Sequence, residues 1–199
     1  MRRQLRSVVK VFDSDPEVYE RATYPLILQY QLNQFITFLS GKKVLDVGCA
    51  IGRDLEYFRQ EGINAVGIDA SFNLLQRAKS RGKVMQMDAL NMSFKDNSFH
   101  GIWANASVIF TPKRKLPVLL GECFRVLKKK GILFVSAKEG EGEKLVPHRF
   151  LKPHKVKYSF YHQQELEQYV EEAGFTIMTN YIDRDNKDTN WINIFARKD

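Results

Sequence analysis

Eleven consecutive residues, Val44-Leu45-Asp46-Val47-Gly48-Cys49-Ala50-Ile51-Gly52-Arg53-Asp54, constrain the fold of this chain more than any other stretch. The apolar run at 44–47 predicts a strand buried on both faces of a parallel sheet. It ends in a loop of small residues, Gly48, Ala50 and Gly52, and Asp54-Leu55-Glu56-Tyr57-Phe58 then begins a helical pattern. Strand, tight turn and helix in that order bring backbone N–H groups and a helix N-terminus close to a ligand. Glycine has no Cβ, so the backbone can approach where a larger residue would block it.

A second strand, Ala65-Val66-Gly67-Ile68, ends in Asp69. That carboxylate follows the loop by about 20 residues, the spacing of a group that accepts hydrogen bonds from ribose hydroxyls. The pair implies an adenosine-bearing ligand. A nicotinamide dinucleotide would call for G-x-G-x-x-G, and the corresponding positions are Gly48, Ala50 and Arg53. Two of three glycines are missing, which argues against that ligand.

The pattern then alternates. Strand 44–47 is followed by helix 53–60, strand 64–68, helix 71–80, strands 83–87 and 98–104, helix 113–128 and strand 132–137. Helix 163–173 and strands 175–182 and 191–196 complete it. Such alternation predicts an α/β fold, a doubly wound sheet with helices on both faces. Before it, residues 1–10 are expected to form a mobile basic arm. Asp15 and Pro16 form a helix start. Pro25 is expected to open a helix with Leu28, Leu32, Phe35 and Leu39 on one face and Gly41 at its end. Residues 138–162 are less regular and too long for a turn, which favours a lid over the carboxyl edge of the sheet, with a plain surface loop as the alternative.

These residues resemble class I S-adenosylmethionine-dependent methyltransferases, in the type 11-like small-molecule subgroup. Residues 44–52 resemble the first motif of that family, with Ala50 where glycine is commoner. Gly67-Ile68-Asp69-Ala70-Ser71 resembles the second, Met87-Asp88-Ala89 the third, and Phe99-His100-Gly101-Ile102-Trp103-Ala104-Asn105 the fourth. The likeness continues through Val126-Leu127-Lys128-Lys129-Lys130-Gly131 and Glu172-Ala173-Gly174-Phe175. The resemblance implies a Rossmann-like seven-stranded, mostly parallel sheet with an antiparallel last strand, and leading helices lying over the cofactor. Residues 1–40 would be arm and cap helices and 41–199 the core, one domain overall. It implies S-adenosyl-L-methionine as cofactor and S-adenosyl-L-homocysteine as product. Asp46, Gly48, Cys49, Ala50, Gly52, Asp69, Ala70, Asp88, Ala89 and Asn105 would bind it. Asp69 would meet the ribose and Asp88 the adenine amine, and a side chain at Gly48 would collide with the methionine portion.

Catalytic residues are harder to read. Methyl transfer is an in-line displacement with a neutral leaving group, so the protein chiefly aligns the reactants. A base is needed only where the nucleophile must lose a proton. The fourth motif continues Asn105-Ala106-Ser107-Val108, without the Asn/Asp-Pro-Pro-aromatic signature of enzymes that methylate adenine exocyclic nitrogens or glutamine amides. The related subgroup reads Ala-Ser-Leu-Leu-His where this chain has Ala106-Ser107-Val108-Ile109-Phe110. Phe110 therefore replaces a histidine. Asn105, Ser107, His148 and His154 are the candidates near the chemistry, the histidines as a base in the lid. Tyr19, Tyr24, Trp103 and Phe110 are candidates for the acceptor wall, with core packing as the alternative. His100 reads as structural and His162 as a helix cap. Lys128-Lys129-Lys130 reads as a basic helix C-terminus.

Composition adds limits. The chain has 199 residues, 44% of them hydrophobic, enough for one domain core. No apolar run could span a bilayer, and the basic start lacks the apolar stretch of a signal peptide. Cys49 and Cys123 read as free thiols in a reducing cytoplasm, with no metal site. A net charge of +8 admits a nucleic-acid partner, but the charge is spread along the chain and does not favour one. The expected function is methyl transfer to a small-molecule acceptor. The alternatives are an RNA or tRNA methyltransferase and a non-catalytic cofactor-binding regulatory subunit. The oligomeric state is left open.

Overall fold

The computed structural model describes residues 2–185 and 189–199. In chain order the elements are α1 (Arg2–Ser14), α2 (Pro16–Thr23), α3 (Gln29–Phe38), β1 (Lys43–Val47), α4 (Arg53–Gln60), β2 (Asn64–Asp69), α5 (Phe72–Ala78), β3 (Lys83–Gln86) and β4 (Phe99–Ala104). Then come α6 (Leu116–Val126), β5 (Leu127–Lys138), β6 (Glu143–Pro147), β7 (Lys155–Ser159), α7 (Gln163–Glu172), β8 (Phe175–Arg184) and β9 (Asn190–Lys198). Seven strands form one sheet in the order β3-β2-β1-β4-β5-β9-β8. Neighbours from β3 to β5 are parallel, and β9 runs antiparallel to both β5 and β8. This is the expected seven-stranded sheet with an antiparallel last strand.

Side chains alternate across a strand, so each strand feeds two cores. Val44, Trp103, Ile132, Phe134 and Phe195 pack on one face with Leu32 and Phe35 of α3 and Phe58 of α4. Leu45, Ile102, Leu133, Val135 and Ile194 pack on the other with Leu119 and Leu120 of α6 and Leu166 and Val170 of α7. Both faces are covered, which is why these strands read as continuous apolar runs. Trp103 and Phe134 stack at 4.0 Å between centroids, fully buried. Burial of each such ring is worth about 2–3 kcal/mol.

Four expectations need correction. The residues read as a mobile arm form α1, apart from Met1, which lies outside the described residues. Val8, Val11 and Phe12 are buried, and an apolar stripe at helical spacing outweighs the scattered arginines. The helix expected from Pro25 begins at Gln29, with Leu28 as its N-cap and Leu39 already extended beyond its end. Helix 113–128 is a 3-10 turn at Lys113–Lys115 followed by α6, which stops at Val126. Lys128, Lys129 and Lys130 therefore lie in β5, with Lys130 at φ +62°, and not in the last turn of a helix. Finally, the irregular segment 138–162 contains the antiparallel hairpin β6–β7, paired from Glu143↔Ser159 to Pro147↔Lys155. No helix among the described residues is long and apolar enough to cross a membrane.

Candidate active site

The carboxyl ends of β1, β2 and β4 open into a cavity of about 710 Å³. Its floor is the turn after β1, with Asp46, Gly48, Cys49 and Ala50, and the turn after β2, with Asp69 and Ala70. Asp88 and Ala89 follow β3, and Asn105 and Ser107 follow β4. Leu5, Val8 and Phe12 of α1, Tyr19 of α2 and His148 of the hairpin loop form the roof. A parallel sheet brings all these turns to one edge, where α/β proteins bind ligands.

The turn after β1 is built for close approach. Gly48 (φ +77°) and Ala50 (φ +47°) both lie in the left-handed region. Glycine adopts it freely, whereas Ala50 adopts it at a cost. The Ala50 N–H donates to Oδ2 of Asp69 at 3.0 Å, tying the two turns together. The Ser71 N–H donates to Oδ1 at 2.8 Å. Burial still outweighs these bonds and raises the Asp69 carboxyl above its ordinary value.

Two buried carboxylates, Asp54 and Asp46, share the floor. Asp54 accepts from Trp103 Nε1 at 2.8 Å, from Asn105 Nδ2 at 3.1 Å and from the Arg53 guanidinium at 2.6 and 3.1 Å. Burial opposes its charge, but the Arg53 cation and these donors hold it below the ordinary range. Asp46 has the opposite fate. Burial, then the Asp54 charge, pushes it well up, and its Oδ2 has no partner among the described residues. Asn105 is fixed from both ends, because its Oδ1 also accepts from Ser136 Oγ at 3.0 Å. Ser136 in turn accepts from the Ala106 N–H at 2.8 Å.

The structure assembles most of the sequence candidates and separates others. Asp46, Gly48, Cys49, Ala50, Asp69, Ala70, Asp88, Ala89, Asn105, Ser107, Tyr19, Phe110 and His148 all line the cavity. Gly52 does not. It is the N-cap of α4 at φ +76°, and a Cβ there would meet Cβ of Ala78 at 3.0 Å, so its role is to pack α4 against α5. At Gly48 the nearest obstacle to a Cβ is Cβ of Ser107 at 2.6 Å, so the collision expected with a cofactor comes first from the protein itself. Tyr24 is turned outward, its hydroxyl donating to Glu56 at 2.8 Å and its ring 4.8 Å from the Arg81 guanidinium. Trp103 faces the opposite core. His154 is exposed; its carbonyl accepts from the His148 N–H and its own N–H donates to the Leu151 carbonyl at 3.0 Å.

His148 reaches the cavity but is poorly suited to be a base. Its Nδ1 accepts from the backbone N–H groups of Phe150 at 3.2 Å and Leu151 at 3.0 Å, which leaves the proton on Nε2. Burial, with the nearby Lys138 and His154 charges, lowers its pKa to about 4. Protonation would break both backbone bonds. Tyr19, pushed up to about 12 by burial, keeps its proton as well. His100 is structural, with its Nδ1 accepting from the Lys43 N–H, and His162 is the N-cap of α7. Cys49 and Cys123 are both buried free thiols.

Sequence reasoning missed the Arg53–Asp54 pair, Ser136 and Lys138. Arg53 and Asp54 were legible as the first turn of α4, but nothing in their spacing showed that they turn inward. Ser136 and Lys138 lie on alternate positions of β5, a pattern that apolar neighbours obscured.

Residues 45–135 match the family described as "Methyltransferase domain". Methyltransferase GfsG of Streptomyces halstedii is 32% identical over 116 residues, covering 53% of this chain and 41% of that protein. The chain thus spans less than half the length of the curated relatives it matches. Among solved structures, magnesium protoporphyrin IX methyltransferase from Synechocystis PCC 6803, with bound SAH, covers 98% of this chain and 100% of its own. Its TM-score is 0.75 at 14% identity. The cyclase SpnF shares the fold at TM-score 0.69 and 18% identity, over 85% of this chain and 80% of its own. Residues 45–135 are thus similar to that methyltransferase domain, and the seven-stranded architecture is the fold of the solved structures above.

Proposed function

We propose that the chain binds S-adenosyl-L-methionine on the floor of this cavity and transfers its methyl group to a small-molecule acceptor, leaving S-adenosyl-L-homocysteine. The observation that carries this reading is Asp46, a buried carboxylate with Oδ2 unpartnered among the described residues, beside a turn of small residues. A carboxylate withdrawn from water calls for a cation or a donor, and the methionine ammonium supplies both. Asp69 keeps lone pairs beyond its two backbone bonds for the ribose hydroxyls. Ala70, Asp88 and Ala89 would flank the adenine, and Gly48, Cys49 and Ala50 the methionine backbone. Residues 1–40 would cap a core of 41–199.

The bound sulfonium supplies an activated methyl and a neutral leaving group. The protein's own part is alignment and exclusion of water. Asn105, clamped between Asp54 and Ser136, is a fixed amide donor and acceptor, and it cannot take a proton at neutral pH. Ser107 Oγ is buried and unpartnered among the described residues, so it is available to the acceptor. With His148 and Tyr19 held neutral, the acceptor would arrive already nucleophilic. The GfsG match and the methyltransferases among the fold relatives support this reading. Two buried free thiols agree with a cytoplasmic setting.

A second reading has one observation behind it. SpnF shares the fold and is named a cyclase, so the fold alone does not guarantee methyl transfer. The test is a labelled methyl-transfer screen with cell metabolites and total RNA side by side. Label in the small-molecule fraction is the expected result. Label in RNA would replace the acceptor class, and cofactor binding without transfer would replace the activity.

A further inference from the structure

We propose that Lys138 anchors an oxyanion of the acceptor, and that the acceptor is a small amphipathic acid with a flat apolar body. This rests on the methyl-transfer reading of the cavity. Lys138 ends β5 two residues beyond Ser136, so both side chains leave the same face of the sheet. Ser136 pairs with Asn193 across β9, and Lys138 pairs with Trp191. The Lys138 ammonium lies 4.5 Å from the Tyr158 ring centre and 5.5 Å from that of Trp191. Two rings from different elements therefore cage it at the cavity wall.

The cage holds the cation without neutralising it. Among the described residues no carboxylate lies within ion-pair distance of Lys138. Asp185, the acid on that side, is committed elsewhere. Its Oδ2 accepts from Arg149 at 2.7 Å and from Trp191 Nε1 at 3.4 Å, and its Oδ1 from the Thr189 N–H at 3.0 Å. A partly buried cation with no carboxylate in ion-pair contact is costly: burial, then the Arg149 charge, lowers the Lys138 pKa, and the Asp185 charge offsets this only in part. An oxyanion delivered by the ligand would remove that cost through a charge-assisted hydrogen bond. The neighbouring wall is apolar and ring-lined. Phe110 contacts both Tyr158 (5.3 Å) and Phe12 (5.1 Å), which suits a flat hydrophobic body. A neutral acceptor would leave Lys138 unpaired.

The test uses two dyes with one ring system. 8-Anilinonaphthalene-1-sulfonate carries an oxyanion, and N-phenyl-1-naphthylamine does not. Binding is followed by fluorescence in wild type, in Lys138→Met, which keeps the apolar stem, and in Lys138→Gln as a second variant. Lys83→Met, on an exposed edge strand, serves as control. The anionic dye should bind about tenfold more weakly to the Lys138 variants. The neutral dye should be unchanged, and the control should match wild type. Unchanged binding of the sulfonate, or an equal loss for both dyes, would overturn the assignment. S-adenosylhomocysteine titrated into the same wild-type protein reports on the cofactor site alone, so the two readings fail separately.

Discussion

Two backbone N–H groups, those of Phe150 and Leu151, fix the tautomer of His148 and keep its ring neutral. Its folded pKa, about 4, lies below the ordinary 6.5, so the unfolded chain binds more protons between those values. Its contribution to stability is therefore full above about pH 6.5 and is lost as pH falls toward 4. Between pH 7 and pH 5 the wild type should lose about 2 kcal/mol more stability than His148→Asn, measured by urea unfolding. Parallel losses would contradict the assignment. At this scale the strand-end acids were legible, as were Tyr19 and Phe110, but Tyr24 and Trp103 were not. Asp46, Asp69 and Asp88 sit within or just after strands, so topology alone brings them to the cavity. Trp103 and Tyr24 depend on side-chain direction. Trp103 falls on the opposite strand face from Ile102 and Ala104, and Tyr24 is drawn outward by Glu56 and Arg81.

Helix α1 is the element whose reading changed most. Leu5, Val8 and Phe12 recur at i, i+3 and i+7, a helical stripe that the basic residues around it obscured. What the sequence could not show is its anchor. Asp13 accepts from Ser71 Oγ at 2.5 Å and from the Asn73 N–H at 3.1 Å, so the end of α1 caps the start of α5. Asp13→Ala should cost about 1.5–3 kcal/mol, since its acceptor is charged. Deuterium uptake should rise over residues 5–12 while β1 and β4 stay protected. Unchanged exchange in α1 would show that packing alone holds the roof. The β6–β7 hairpin escaped for a similar reason. Its burial alternates only weakly, and Leu145 is exposed, so no period-2 signal marked it.

Across the whole molecule, the sheet was readable and its cover was not. Each central strand is a short apolar run closed by a turn, a signal contained within a few residues. The roof, from α1 to the loop carrying His148, is defined by contacts between segments more than 130 residues apart in sequence, such as Phe12 against His148 at 5.3 Å. The proposed cofactor site is the floor beneath that roof, built on Asp46 and Asp69 and their neighbouring turns. Calorimetric titration of S-adenosylhomocysteine into wild type and Asp69→Ala tests it most directly. The account predicts one site per chain in wild type and affinity weaker by about tenfold or more in the variant, since charge-assisted bonds are lost. The variant should keep its fold by circular dichroism. No binding to wild type, or equal affinity in a folded variant, would contradict it.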